Sequence, residues 1–237
     1  MTDLYVILVE PKYGGNVGAV ARSMANFDFD KLILVNPCEL DDTCYARSMH
    51  AYKILDKARI FSSFEEAIRD MDYLVATSSI ESQNDKRHLR NAVLLEDFSE
   101  KIFELEGKVG LIFGREDYGL YNEEIAKCDI MLKIPTSESY LSLNLSHAVC
   151  LVLYLLFIKR KFEPTEKKVI EGIEKEKIYE HFSKLLELIN YPEHKKKNTQ
   201  VMFKRVMGRA IPSKWEYHTL MGVISRSIEN IKNNKNK

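Results

Sequence analysis

Three short stretches hold residues whose types and spacing suit chemistry. The first is Tyr13-Gly14-Gly15-Asn16-Val17-Gly18-Ala19-Val20-Ala21-Arg22, a glycine turn that runs into a helix-period segment. The free amides at such a helix start favour an anion. The spacing is not G-x-G-x-x-G, and the second apolar run ends in Asn36-Pro37 rather than in an acidic ribose holder, so a dinucleotide site is disfavoured. The second stretch is Gly114-Arg115-Glu116-Asp117-Tyr118-Gly119-Leu120, where two glycines around charged residues predict a bent loop or a close backbone approach to a ligand. The third is Ile134-Pro135-Thr136, followed by Ser139-Tyr140-Leu141-Ser142-Leu143-Asn144-Leu145-Ser146. Its Ser and Asn residues suit a helix cap, the ordinary reading, and the free amides of the helix start can also receive a ligand. Thr77-Ser78-Ser79 closes another apolar run and offers further hydroxyls.

These stretches need elements to carry them to one place. Leu4–Val9, Leu32–Val35, Tyr73–Ala76, Val109–Phe113 and Ile130–Ile134 are short apolar runs that read as buried strands. Helix-period segments lie between them, at Val17–Phe27, Thr43–Lys57, Phe64–Met71 and Asn122–Cys128. Ser63 with Glu66 forms a capping-box pattern. The alternation predicts an α/β fold with a parallel sheet covered on both faces. Ligands of such sheets gather at the carboxyl ends of the strands, where all the stretches above would meet.

The 237 residues are 45% hydrophobic with 35 Lys+Arg and 35 Asp+Glu, which excludes disordered and fibrous classes. The zero net charge hides a split. Residues 1–158 carry 16 basic and 25 acidic residues, while residues 159–237 carry 19 and 10. An acidic body with a basic tail hints at nucleic acid or membrane contact. Residues 165–237 read as a small helical extension. Its first helix holds the apolar positions Val169 to Ile189, a polar break covers Tyr191–Asn198, a second helix covers Thr199–Arg209, and a third starts after a Ser213/Glu216 capping box. Cys38, Cys44, Cys128 and Cys150 lack metal-ligand spacing, so free thiols and no metal are expected. The apolar run Ala148–Ile158 is too short to span a bilayer, and the start lacks the pattern of a signal peptide. A cytoplasmic protein is expected, without membrane association.

Taken together, Asn16-x-Gly18-x-x-x-Arg22, Phe113-Gly114-x-Glu116-x-x-Gly119-Leu120, and Ile134-Pro135 with Ser142-Leu143-Asn144-Leu145-Ser146 resemble the three ordered motifs of the SpoU-type SPOUT RNA ribose methyltransferases. The resemblance is nearest to the TrmJ-like tRNA 2′-O-methyltransferases. It covers residues 1–160, and it extends more faintly into the tail through Arg205–Ala210 and the helix from Ser213.

The resemblance implies a parallel sheet with a deep trefoil knot, an exception to the general avoidance of knots. It implies S-adenosylmethionine as cofactor, cradled by Thr77, Ser78, Ser79, Gly114, Ile134, Leu141, Ser142 and Leu143. In the family the motif-one arginine, here Arg22, is given the role of taking or sharing the proton of the ribose hydroxyl; a guanidinium is a poor base, so phosphate anchoring and hydroxyl polarisation stand as the alternative. Asn16, Glu116, Ser142 and Asn144 would orient it and the ribose. The family works as homodimers, with the first helix and Asn144–Arg160 as contact faces. The substrate implied is RNA, with a cytidine of the nucleotide-32 type in the tRNA anticodon loop favoured and rRNA the alternative. Lys195, Lys196, Lys197, Lys204, Arg205, Arg209, Lys214 and Arg226 in the tail, and Lys86, Arg87, His88 and Arg90 in the body, are the candidate RNA contacts. A non-catalytic RNA-binding protein on the same fold is the reading from another class. A Rossmann-type oxidoreductase stands last.

Overall fold

The computed structural model describes residues 2–78, 92–160, 172–210 and 212–235. Among the described residues seven strands form one sheet: β1 (Thr2–Val9), β2 (Leu32–Val35), β3 (Arg59–Phe61), β4 (Tyr73–Thr77), β5 (Val93–Leu94), β6 (Gly107–Phe113) and β7 (Ile130–Lys133). Their order is β3-β2-β1-β6-β4-β7-β5, and every pairing is parallel. Successive side chains of a strand face opposite ways, so each central strand feeds two cores. Val6, Leu8, Leu32, Leu34, Val75 and Leu111 pack on one side. Ile7, Val9, Ile33, Val35, Ala76 and Ile112 pack on the other. Near-continuous apolar runs are what double coverage demands, and each fully buried Val, Leu or Ile contributes about 1.5–3 kcal/mol.

The first core is roofed by α1 (Gly14–Asn26), by α2 (Asp42–Ser48) and α3 (Tyr52–Asp56), and by α5 (Leu95–Lys101) and α7 (Leu145–Arg160). The second is roofed by α4 (Phe64–Ile68) and α6 (Asn122–Lys127). Helices α1 and α2 approach closely at Gly18, where a Cβ would overlap the Cys44 carbonyl. That contact explains one motif glycine without a ligand.

The expected single helix Thr43–Lys57 is instead α2, a 3₁₀ turn at Met49–Ala51, and α3, because Met49 takes a left-handed φ of 52° and breaks the helix. Strands β3 and β5 and helix α5 escaped the sequence reading. The two strands have three and two residues and are largely exposed, so they carry no apolar run. Ser63 Oγ accepts from the Glu66 amide at 3.3 Å, but the Glu66 carboxylate turns to Ser62 Oγ rather than completing the box.

The tail forms α8 (Gly172–Leu188), α9 (Glu193–Ala210) and α10 (Lys214–Lys235) around a small core of Ile178, Met207, Tyr217, Ile224 and Ile228. The expected break Tyr191–Asn198 is shorter. Asn190, at φ 52°, ends α8, and α9 begins right after Pro192, so Lys195, Lys196 and Lys197 are helical. The Ser213/Glu216 box forms as expected, with Ser213 donating from N and Oγ to the Glu216 carboxylate and Ser213 Oγ accepting from the Glu216 amide.

The extension is fixed to the body at the amino ends of the strands. Asp129, fully buried just before β7, accepts from the Leu74 amide at 2.8 Å and from Lys175 Nζ of α8 at 3.2 Å. Lys204 Nζ of α9 stands 3.8 Å from the same carboxylate and donates to the Lys127 carbonyl. At Gly208 the α9 backbone lies so near the Asp129 carbonyl that a Cβ would overlap it. Among the described residues no helix is long and apolar enough to cross a membrane.

Candidate active site

At the carboxyl edge of the sheet the chain turns sharply after β1 and β2, with Glu10 and Asn36 at φ 46° and 41°. The loops after β1, β6 and β7 then meet through side chains. Asn16, in the first turn of α1, donates from Nδ2 to Glu116 Oε1 at 2.8 Å. The other Glu116 oxygen accepts from the Lys12 amide at 3.0 Å. Asn144 donates from Nδ2 to Asn16 Oδ1 at 3.1 Å, while its own Oδ1 accepts from the amide and hydroxyl of Ser146 at 2.9 and 2.7 Å. Asn144 thus caps α7 and joins the chain of bonds at once. Three of the residues singled out from sequence, on three loops, form one polar line from Glu116 to Ser146.

Arg22 is not on that line. It is exposed on α1, six residues after Asn16, which is about 9 Å along the helix axis and off the Asn16 face. Ser142 is also exposed, in the loop before α7, and lies outside these bonds. Thr77 Oγ1 donates to the Ile112 carbonyl at 2.9 Å, and the Ser78 amide donates to the Leu132 carbonyl at 3.0 Å. Ile134 and Leu143 are half-buried and Leu141 is 44% exposed. Ser79, Lys86, Arg87, His88 and Arg90 lie outside the described residues.

At Gly114 a Cβ would overlap the backbone of Gly119 and Leu120, so the close packing of its own loop already requires a glycine there. The loop closes through two backbone bonds between Arg115 and Gly119, with Gly119 at φ 66°. Arg115, only 6% exposed, holds it there. Its guanidinium donates to Glu10 Oε2 at 2.8 Å and forks onto Glu124 at 3.1 and 3.0 Å, with the Tyr121 ring 4.0 Å away. Burial opposes the charge, but the bonds to Glu10 and Glu124 outweigh it and raise the Arg115 pKa. The sequence reading missed Arg115, Glu10 and Glu124. The available signal was an arginine between a motif glycine and Glu116, nine residues before a glutamate that opens a helix.

In the tail, Lys195 and Lys197 are exposed on α9 and Lys196 pairs with Glu193. Arg209 is half-buried. Arg205 requires correction as an RNA contact. It is 2% exposed and donates from Nη2 to the Ile125 carbonyl at 2.6 Å, packing α9 onto the body, and burial lowers its pKa. Lys204 is likewise drawn inward by Asp129 and the Lys127 carbonyl. The four cysteines are free thiols; burial pushes Cys44 up to about 11 and Cys128 up to about 12. Among the described residues no group of three or more His, Cys, Asp or Glu is arranged to hold a metal.

The profile of the family described as SpoU rRNA Methylase matches residues 3–154, the span that supplies all three loops. A tRNA (cytidine-2′-O-)-methyltransferase TrmJ from Methanocaldococcus jannaschii is 41% identical over 221 residues, covering 91% of this chain and 96% of its own. Among solved structures, a probable methylase family protein from Haemophilus influenzae superposes with a TM-score of 0.68 at 31% identity, over 98% of both chains. TrmJ from Z. mobilis gives 0.67 at 27% identity, over 94% of this chain and 97% of its own. The profile match, the relatives that span nearly the whole chain, and a polar line built from the motif residues agree: this chain is a methyltransferase and belongs to the SpoU methylase family.

Proposed function

We propose that the protein transfers a methyl group from S-adenosylmethionine to a ribose 2′-hydroxyl of RNA, on a cytidine of the nucleotide-32 type in the tRNA anticodon loop. The observation that carries this reading is the Glu116–Asn16–Asn144 line, which gathers three loops at the carboxyl edge around groups able to bind a ribose. The substrate in the name of the Methanocaldococcus jannaschii relative supports the tRNA and cytidine choice. A trefoil-knotted threading near β7 and α7 belongs to the same proposal.

The residues present suit the cofactor. Open apolar surface at Ile134, Leu141 and Leu143 would hold the adenine, with Thr77, Ser78 and Ser79 supplying polar contacts and Gly114 shaping the adjoining loop. When bound, S-adenosylmethionine supplies an electrophilic methyl on a sulfonium. The chain's own work is to bind and align the ribose. Asn16, Glu116, Ser142 and Asn144 position the hydroxyl, and Arg22 anchors a neighbouring phosphate and polarises it. A guanidinium with a pKa above about 12 acts there as a fixed cation rather than as a proton acceptor.

Because Arg22 stands off the polar line of its own subunit, we place the working site in a homodimer. Helices α1 and α7 pack together, and α7 keeps Leu151 and Tyr154 exposed at 43% and 50% beside half-buried Phe27 and Phe157. A second copy seated there would cover this apolar face.

Nucleoside mass spectrometry of tRNA and rRNA, incubated with the protein and S-adenosylmethionine, tests the reaction. The expected product is 2′-O-methylcytidine in tRNA. Methylation confined to rRNA would move the substrate to the alternative within the family. Cofactor binding without any ribose product would overturn the enzyme reading.

A further inference from the structure

Three large aromatic side chains project into solvent around the candidate site: Tyr13 is 59% exposed, Tyr118 73% and Tyr140 79%. They lie on the three loops joined by the polar line. Tyr13 directly precedes α1, and its carbonyl accepts from the Asn16 amide at 2.9 Å. Tyr118 is two residues from Glu116, and its ring lies 5.5 Å from Lys12 Nζ, which also pairs with Asp117. Tyr140 is four residues before Asn144, in a turn closed by its own amide on the Ser137 carbonyl. Burying these rings would favour folding, yet all three stay in water. Among the described residues, the charges next to these rings do not make the rim a phosphate-binding surface. Lys12 is engaged by Asp117, and Glu138 stands two residues from Tyr140.

We infer that Tyr13, Tyr118 and Tyr140 form a stacking rim for unpaired bases that flank the target ribose, so the site takes single-stranded RNA in a loop and rejects a duplex. The inference rests on the RNA reading above and adds how the substrate's form is selected. An aromatic ring serves every base because each has a π-face, and only splayed bases can reach it. The rim holds bases and the exposed lysines of α9 hold phosphates. The two contributions therefore differ in salt dependence: neutralising phosphates releases counterions, and stacking does not.

The test uses the full chain, a fluorescein-labelled RNA hairpin with an unpaired loop, and a fully paired RNA of equal length. Tyr13→Ala and Tyr118→Ala are each expected to weaken hairpin binding by roughly 5- to 150-fold, the range of about 1–3 kcal/mol per stacked base. The slope of affinity against salt should stay at its wild-type value, duplex binding should not move, and Tyr→Phe should restore the hairpin. Calorimetry with S-adenosylmethionine confirms that each variant is folded. Unchanged hairpin affinity, an equal loss for hairpin and duplex, or a shallower salt slope overturns the stacking rim. A shift from dimer to monomer in sedimentation overturns it too, and assigns the rings to an interface between copies. Wild-type protein that methylates RNA while these variants bind normally refutes the rim alone. Wild-type protein that binds cofactor but methylates no RNA refutes the functional reading beneath it.

Discussion

Glu116 joins two loops through one carboxylate. One oxygen takes the Asn16 amide and the other the Lys12 backbone, so two loops are fixed before any substrate arrives. Glu116→Ala leaves both donors to water. It is expected to cost about 1–3 kcal/mol in urea unfolding and to slow methyl transfer at least tenfold, with cofactor affinity close to wild type. Arg22→Ala should abolish transfer in a single-turnover assay while calorimetric cofactor binding persists; retained turnover would remove Arg22 from the site. Glu10 carries a pH signature. Its hydrogen bond to Arg115, opposed by burial and aided by the opposite charge, lowers its pKa. The stability from this bond is complete above the ordinary carboxylate range and disappears as pH falls through the lowered folded value. Thermal unfolding across the acid range should show that loss in the wild type and a smaller one in Glu10→Gln.

At the scale of elements, the central strands were readable because double burial demands unbroken apolar runs, and Leu32–Val35 is one. Short edge strands β3 and β5 were not, since exposure frees them from any pattern. Local chemistry decides some boundaries that periodicity blurs. Met49 and Asn190 at positive φ end helices that side-chain spacing alone would have carried further or broken later. Gly114 belongs to this scale as well. A methyl group at that position must displace the Gly119–Leu120 backbone, which Arg115 clamps to Glu10 and Glu124. Gly114→Ala is therefore expected to disorder the β6–α6 loop, and hydrogen exchange should report faster exchange of the Gly119 amide than in the wild type. Arg115→Lys keeps the charge but loses the fork, and should loosen the same amide to a smaller degree.

For the whole molecule, the charge split acquires a geometry. The basic tail is bound at the amino edge of the sheet, so within one subunit it stands across the strands from the candidate site. Lys175 and Lys204 serve the internal contact with Asp129, whereas Lys195 and Lys197 remain exposed. Asp129→Ala strands Lys175 in a buried place and should cost about 3–5 kcal/mol, read as release of the tail in limited proteolysis. Deleting residues 165–237 uncovers the same buried carboxylate, so charge reversal at Lys195 and Lys197 is the cleaner probe of RNA binding. It should flatten the salt dependence of tRNA affinity by about one unit of slope for each phosphate left without its lysine, with cofactor affinity unchanged.

The sequence by itself determined the α/β alternation, the strands of the core, and the three motif stretches that meet at the carboxyl edge, because burial and turn formation act through residue type at short range. Only the tertiary structure decided that Asn16 bonds to both Glu116 and Asn144, 100 and 128 residues away along the chain. It alone separated Arg22 from them, turned Arg205 inward, and made Arg115 the clamp of the second loop. Whether a cation meets RNA, a carboxylate or a carbonyl depends on what the fold packs beside it, and no local pattern of charges encodes that neighbour.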